Sequence, residues 1–180
     1  MDTPNLNECY LYFALIGHGF DPDAFSAALN LAPTRAVYEG SSIGMGGRIL
    51  GHSSWQYGTP VLRGDDVFRL DEIADELIAA LLPVQDKIAE LIKAHRIEAY
   101  LMVVLTVSTD ERDSTPAIGF SPRVISFCHA VGARIEFDIY QGLPEEETDG
   151  DAWVHVGTLA QTATAEELVS LDAHHLLYRL

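Results

Sequence analysis

Histidine and cysteine are the residue types in this chain best suited to metal binding, and it contains seven histidines and two cysteines. A metal site needs several ligands at a spacing that lets them converge, as in CxxC or HExxH. Neither pattern occurs, and the adjacent pair His174 and His175 would point about 100° apart on a helix. We therefore predict no metal site and no cofactor, and we interpret Cys128 as a small apolar residue within a helix.

Nucleophilic and phosphate-binding chemistry is also poorly supported by the spacing. Ser26 and Ser126 fall in the second turn of predicted helices, and no G-x-S-x-G elbow surrounds either of them. We expect both hydroxyls to bond to backbone or solvent. The segment Gly44-Met45-Gly46-Gly47-Arg48 could approach an anion, but neither Gly-Lys-Ser/Thr nor a helix start follows it. No catalytic residue is predicted.

Carboxylates and aromatic residues form the remaining candidate set. Glu136 and Asp138 alternate on one face of the last predicted strand, so both could reach a shared site, although such alternation is also typical of a plain solvent face. Trp55 and Tyr57 share a face of an earlier strand, as core residues or as an exposed pair at an interface. Together with His52, these four residues are our candidate binding residues.

Elements that position these residues follow from the pattern of apolar residues. Segments 10–17 and 99–107 are apolar on both sides, which is typical of strands buried on both faces. A helix is predicted to begin at Asp21-Pro22 and to end at Ala32, before a proline. The three- and four-residue spacing over 71–95 predicts a long helix, which Pro83 should kink or divide.

Shorter elements complete the prediction. Strands are expected at 35–39 and 54–57, and the glycine-rich segment 40–52 is expected to be a loop without regular structure. After about residue 142, acidic residues crowd together. We divide the chain into a core domain, 1–142, and an acidic linker with a C-terminal appendage packed on the same domain, 143–180. Within that appendage, an edge strand at 153–156 and a terminal helix from Thr164 are predicted.

One internal similarity bears on the fold. Gly19-Phe20-Asp21-Pro22 recurs as Gly119-Phe120-Ser121-Pro122, and each copy leads through a helix-length segment to a strand. Either the chain contains one strand–helix–strand unit twice, or both copies follow the common pattern of helix starts. A duplication would place strands 9–17 and 99–108 side by side at the sheet centre. We predict an α+β ferredoxin-like sandwich, an antiparallel sheet with helices, elaborated by an inserted strand, Ser53–Gly58, and the long helix.

Charge excludes several classes of partner. The chain has 11 Lys and Arg against 27 Asp and Glu, a net charge of −16. This argues against nucleic acid and against an anionic membrane surface, because both bind through clustered basic residues. No apolar run reaches the roughly 20 residues of a spanning helix, and we find no secretory signal. The expected location is the cytoplasm.

A family resemblance rests on a set of short motifs. They are Gly17, Asp21-Pro22, Leu31 with Pro33-Thr34, Glu39-Gly40, Ser54-Trp55 and Asp138-Ile139-Tyr140. Together, over about residues 9 to 141, they resemble the bacterial domain of unknown function 4279 family. The resemblance implies the architecture, carries no established catalytic residues, and suggests by analogy the toxin–immunity neighbourhoods of small bacterial proteins.

Three functional hypotheses remain. The leading one is a non-catalytic acidic protein-binding module, and in its specific form an immunity protein that neutralises a basic toxin, because negative charge speeds encounter with a basic partner. Solubility alone would also account for the charge. The alternative is a small-molecule-binding or enzymatic domain, with a pocket between the sheet and the glycine-rich 40–52 loop. The third is a self-associating unit in which an edge strand pairs with its copy.

Overall fold

The computed structural model describes residues 7–43 and 48–142. Two 3-10 helices, Gly64–Arg69 and Leu82–Val84, flank the second α-helix. In chain order the strands and α-helices are β1 (Glu8–Gly17), α1 (Pro22–Leu29), β2 (Arg35–Val37), β3 (Ser42–Ile43), β4 (Arg48–Ile49), β5 (Ser53–Gly58), β6 (Leu62–Arg63), α2 (Leu70–Leu81), α3 (Gln85–His95), β7 (Glu98–Ser108), α4 (Pro122–Val131) and β8 (Arg134–Gly142).

Within 7–43 and 48–142, a mixed six-stranded sheet forms the centre of this α+β fold. Its order is β2-β5-β1-β7-β8, and the short β6 pairs with the start of β1. Strands β1 and β7 are antiparallel neighbours, from Glu8 opposite Thr106 to Ile16 opposite Glu98. The prediction that the two strands with apolar residues on both sides lie side by side at the sheet centre is therefore confirmed.

The predicted antiparallel sheet was wrong at one pairing, because β7 and β8 are parallel. Helix α4 carries the chain from β7 to the adjacent position, and such a crossover returns the strand in the same direction. In the first half of the chain, α1 links β1 to β2, but β5 lies between these two strands. The interleaved units of a ferredoxin-like sandwich are not confirmed. The inserted strand Ser53–Gly58 does lie between the two strands of one βαβ unit, β1-α1-β2.

Capping residues explain where two helices begin. Asp21 and Ser121 are N-caps whose side chains accept a hydrogen bond from a first-turn backbone N–H, and proline occupies the first helical position in both cases. Both predicted starts are confirmed. Helix α1 ends at Leu29 and not at Ala32, because Asn30 adopts a left-handed conformation, with φ 49°, and closes the helix.

The prediction for the long helix is confirmed, whereas the prediction for the glycine-rich loop is wrong in part. Pro83 divides the long helix, as predicted, because the 3-10 helix Leu82–Val84 separates α2 from α3. The expectation that 40–52 lacks regular structure was wrong at β3 and β4, which pair with Ser42 opposite Ile49. The backbone hydrogen bond from the Leu50 N–H to the Ser41 carbonyl, at 2.9 Å, extends this pairing.

The four α-helices of the described residues contribute to one core on one face of the sheet. The odd-numbered side chains of β1, such as Leu11 and Phe13, point into it, and Phe13 contacts Phe127 of α4 with ring centroids 5.5 Å apart. Ile78 of α2 and Ile88 of α3 belong to the same core. The long helix therefore covers this face and not the opposite one, which we call the second face.

The predicted strand at 153–156, the predicted helix from Thr164 and the tip of the glycine-rich loop, 44–47, lie outside the described residues. Within the residues that are described, no helix has both the length and the apolar character that a membrane crossing requires.

Candidate functional site

Strand β8 is an edge of the sheet within the described ranges. There it pairs with β7 and with no second strand. The Gly142 carbonyl accepts a hydrogen bond from the Thr109 N–H at 3.1 Å, which is the contact a parallel partner makes. Backbone groups of successive residues point to opposite edges of a strand. The even-numbered residues of β8 therefore bond to β7, and the odd-numbered residues from Ile135 to Gln141 direct their N–H and C=O outward.

Exposed apolar side chains follow this outward edge on the helix-bearing face. Phe137 is 42% exposed and Ile139 is 58% exposed, and both face the same way because they are two residues apart. The Phe137 ring packs against Phe120, with ring centroids 6.1 Å apart. Ile135 is partly buried against the core. Adjacent exposed apolar residues of this kind are typical of an interaction surface.

Acidic side chains occupy the second face of the same strand. Glu136 lies opposite Met102 and Asp138 lies opposite Val104, so both carboxylates share this face. Arg134 donates a hydrogen bond to Glu98 Oε2 at 2.5 Å and forms an ion pair with Glu136 Oε1 at 3.2 Å. One guanidinium is thus shared by two carboxylates, and Asp138 adds a third negative charge nearby.

Aromatic side chains lead from the sheet centre toward these carboxylates. On the second face, Tyr12 of β1 lies opposite Met102 of β7, which in turn lies opposite Glu136. The Tyr12 ring stacks on Tyr10 at 6.1 Å and meets Tyr100 edge-on at 6.2 Å, and all three tyrosines are half-buried. Aromatic residues beside charged groups are common in protein interfaces. We use "the β8 edge" for the outward backbone of β8 together with Phe137, Ile139, Glu136 and Asp138.

Trp55 and Tyr57 lie on the helix-bearing face of the sheet. Trp55 is 0% exposed and donates its indole N–H to Ser26 Oγ at 3.1 Å, while Tyr57 stacks on it at 6.3 Å and is partly buried. Strands β5 and β8 are three strand spacings apart, about 14 Å. The structure therefore brings Glu136 and Asp138 together, but it does not bring Trp55 or Tyr57 to them.

His52, the remaining candidate, lies near a cluster that sequence reasoning missed. Glu39 accepts hydrogen bonds from the Gly19 N–H at 2.8 Å and from His18 Nδ1 at 3.1 Å. The Gly19 N–H and then His18 hold the pKa of Glu39 below its usual range, and His52 adds a smaller effect of the same sign. This cluster ties the turn after β1 to the chain after β2. Its partners are some 20 residues apart, so no local spacing signals it.

Metal, thiol and hydroxyl chemistry find little support in the geometry. Across 7–43 and 48–142, no three His, Cys, Asp or Glu side chains are placed to hold a metal ion. Burial raises the pKa of Cys9 to about 12 and that of Cys128 to about 11, so neither thiol is a ready nucleophile at neutral pH. The predicted apolar role of Cys128 is confirmed. Ser26 Oγ donates to the Pro22 carbonyl at 2.8 Å, also as predicted.

Fold and site together define an α+β domain with helices on one face of a mixed sheet and an edge strand that is apolar on one side and acidic on the other. The chain belongs to the family described as Domain of unknown function (DUF4279), whose model matches residues 7–142. The resemblance predicted from the short motifs is therefore confirmed, and the match covers the whole described region.

A shorter segment of the chain is similar to other proteins. It is 64% identical over 42 residues to the 33 kDa chaperonin of Neisseria gonorrhoeae (strain FA 1090). The 33 kDa chaperonin of Neisseria meningitidis serogroup B (strain MC58) shows the same identity over the same length. The match covers 23% of this chain and 14% of the chaperonin, so the chain spans about a seventh of the length of these curated relatives. No solved structure matches this chain.

Proposed function

We propose that this protein is a non-catalytic acidic binding module that holds a basic protein partner at the β8 edge. The observation that carries the proposal is the combination found on one strand. Its outward backbone groups, two exposed apolar side chains and two carboxylates all lie along the same edge. Each is a common feature of interfaces, and their coincidence favours a protein partner over a small ligand, which needs a concave pocket.

Charge supports a basic partner. The net charge of −16 attracts a positively charged protein over long distances, and the carboxylates of the β8 edge would then orient it at close range. In its specific form, the proposal is an immunity protein that binds a basic toxin in the cytoplasm and covers the surface with which the toxin acts. The family match is compatible with this role and assigns no other.

Co-expression with the product of the neighbouring reading frame tests the proposal. The full chain should protect the cell and co-purify with that product, and added salt should weaken the complex. The double variant E136Q/D138N should weaken binding about tenfold or more, because it neutralises the carboxylates of the β8 edge.

The matched control is E76Q/D86N, which changes the net charge equally on exposed positions of α2 and α3. It should protect as well as the natural chain does. A neighbouring product that is neither bound nor neutralised would remove the proposal. Equal loss of binding in both double variants would show that net charge acts without the β8 edge, and would also count against it.

A further inference from the structure

We infer that the β8 edge takes its partner by strand addition, and that the added segment is extended and alternates Lys or Arg with apolar residues. This inference rests on the proposed function and adds the binding mode and the sequence pattern of the partner. It begins from the backbone. Across the described residues, Ile135, Phe137, Ile139 and Gln141 direct four N–H and four C=O groups away from β7, over about 20 Å of strand.

Side chains of an added strand would meet two different surfaces. Those on the helix-bearing face would contact Phe137 and Ile139, which are 42% and 58% exposed, and would therefore be apolar. Those on the second face would lie beside Asp138 and Glu136, and would therefore be basic. Asp138 is the main contact for a basic residue, because the Glu136 side chain is 13% exposed and already pairs with Arg134. Backbone hydrogen bonds supply affinity in strand addition, while the alternating side chains supply specificity. A segment that alternates the two residue classes satisfies both faces at once.

A second copy of this chain fits the β8 edge less well. If two β8 strands paired antiparallel about Asp138, that residue would face its own copy. If they paired about Phe137, each Glu136 would face the other copy's Asp138. These two registers overlap most of both strands, and like charges directly opposite each other destabilise a strand pair. A basic segment replaces that repulsion with attraction.

Synthetic peptides test the backbone pairing directly. The first is a capped peptide of about eight residues that alternates Lys and Val, and its control has the same composition with all Lys before all Val. We expect the alternating peptide to bind the full chain at least about tenfold more tightly by titration calorimetry, since only it satisfies both faces.

Backbone methylation separates hydrogen bonding from charge. One further peptide carries N-methyl groups on its Val residues and another on its Lys residues. Only one of the two sets can direct its N–H groups toward β8, so one peptide should lose binding at least about tenfold while the other keeps it. Loss at Val would indicate antiparallel addition, and loss at Lys would indicate parallel addition.

A variant of the protein provides a second test. Ile139→Pro removes an outward N–H and leaves the β7 pairing intact, since proline is tolerated where an edge N–H faces solvent. It should weaken binding of the alternating peptide about tenfold or more, whereas the control Ile139→Val, which keeps the N–H, should not. If Ile139→Pro fails to fold, the two methylated peptides still decide the outcome.

Several results would overturn the inference. Equal binding of the alternating and block peptides, or of the two methylated peptides, would show binding by charge alone, and the proposed function would stand without strand addition. If no peptide binds, strand addition is wrong. The proposed function is then tested separately, by whether the neighbouring product co-purifies with the chain. If no peptide binds and Ile139→Pro converts a dimer to a monomer, the β8 edge belongs to a second copy.

Discussion

Replacing Ser26 with Ala should destabilise the domain although Ser26 is far from any proposed interface. The Trp55 side chain is fully buried, and its indole N–H donates to Ser26 Oγ at 3.1 Å. The same hydroxyl donates its proton to the Pro22 carbonyl at 2.8 Å. One side chain of α1 therefore satisfies the polar atom of the largest core residue of β5, and this contact ties the helix to the sheet.

The expected cost follows from what each substitution leaves behind. Ser26→Ala leaves a buried N–H without its acceptor, which costs about 1 to 3 kcal/mol of unfolding free energy. Trp55→Phe removes the donor and leaves a cavity, and we expect it to cost about 2 to 3 kcal/mol. In the Trp55→Phe background, Ser26→Ala should cost about 1 kcal/mol less than it does in the natural chain, because no indole N–H remains to lose its partner.

Urea unfolding of the natural chain, the two single variants and the double variant measures these free energies, with far-ultraviolet circular dichroism as the signal. The hydrogen bond of Ser26 to Pro22 is lost in both backgrounds, so the difference between backgrounds isolates the contact with Trp55. Equal costs of Ser26→Ala in the two backgrounds would refute the reasoning. A neutral Trp55→Phe would contradict the expected cost of the cavity.

Two further predictions concern close packing and burial. Gly17→Ala should destabilise the domain by about 1 to 3 kcal/mol in the same urea assay, because the new Cβ would lie 2.5 Å from Ile97 Cγ2. The control Gly119→Ala should be nearly neutral, because nothing lies within 4 Å of the Cβ added there. Cys9 and Cys128 should resist 5,5′-dithiobis(2-nitrobenzoate) at pH 8 in the folded chain and react after unfolding, since burial raises their pKa values to about 12 and about 11. Equal costs at the two glycines would contradict the first prediction. Rapid labelling of the cysteines in the native chain would contradict the second.

The centre of the fold could be predicted because burial on both faces leaves a mark on the sequence. Residues 10–17 and 99–107 are apolar at odd and even positions, and only a central strand needs that. The direction of β8 could not be predicted in the same way. Its alternation of Ile135, Phe137 and Ile139 with polar residues fits an edge strand of either direction. The parallel pairing depends on where α4 returns the chain, and no local pattern encodes that.

The candidate site was predictable only where one strand carries it. Alternation places Glu136 and Asp138 on one face regardless of the rest of the fold. The same rule pairs Trp55 with Tyr57, but it does not say which face is the core, and the structure assigns them to the helix-bearing side. The contact between Glu39 and the turn after β1 depends on the hairpin geometry of β2 and β5, so a single segment cannot reveal it.

Among the described residues, β8 pairs on one side only, and its side chains bear on how such an edge strand is protected. Edge strands invite uncontrolled pairing, and charged side chains are a common protection against it. Glu136 and Asp138 oppose self-pairing, so protection alone could explain them. It does not explain Phe137 and Ile139, which expose apolar surface along the same edge and would favour aggregation. The carboxylates repel a second copy, and the apolar residues stabilise a complex by becoming buried in it. This combination suits an edge that selects a basic partner.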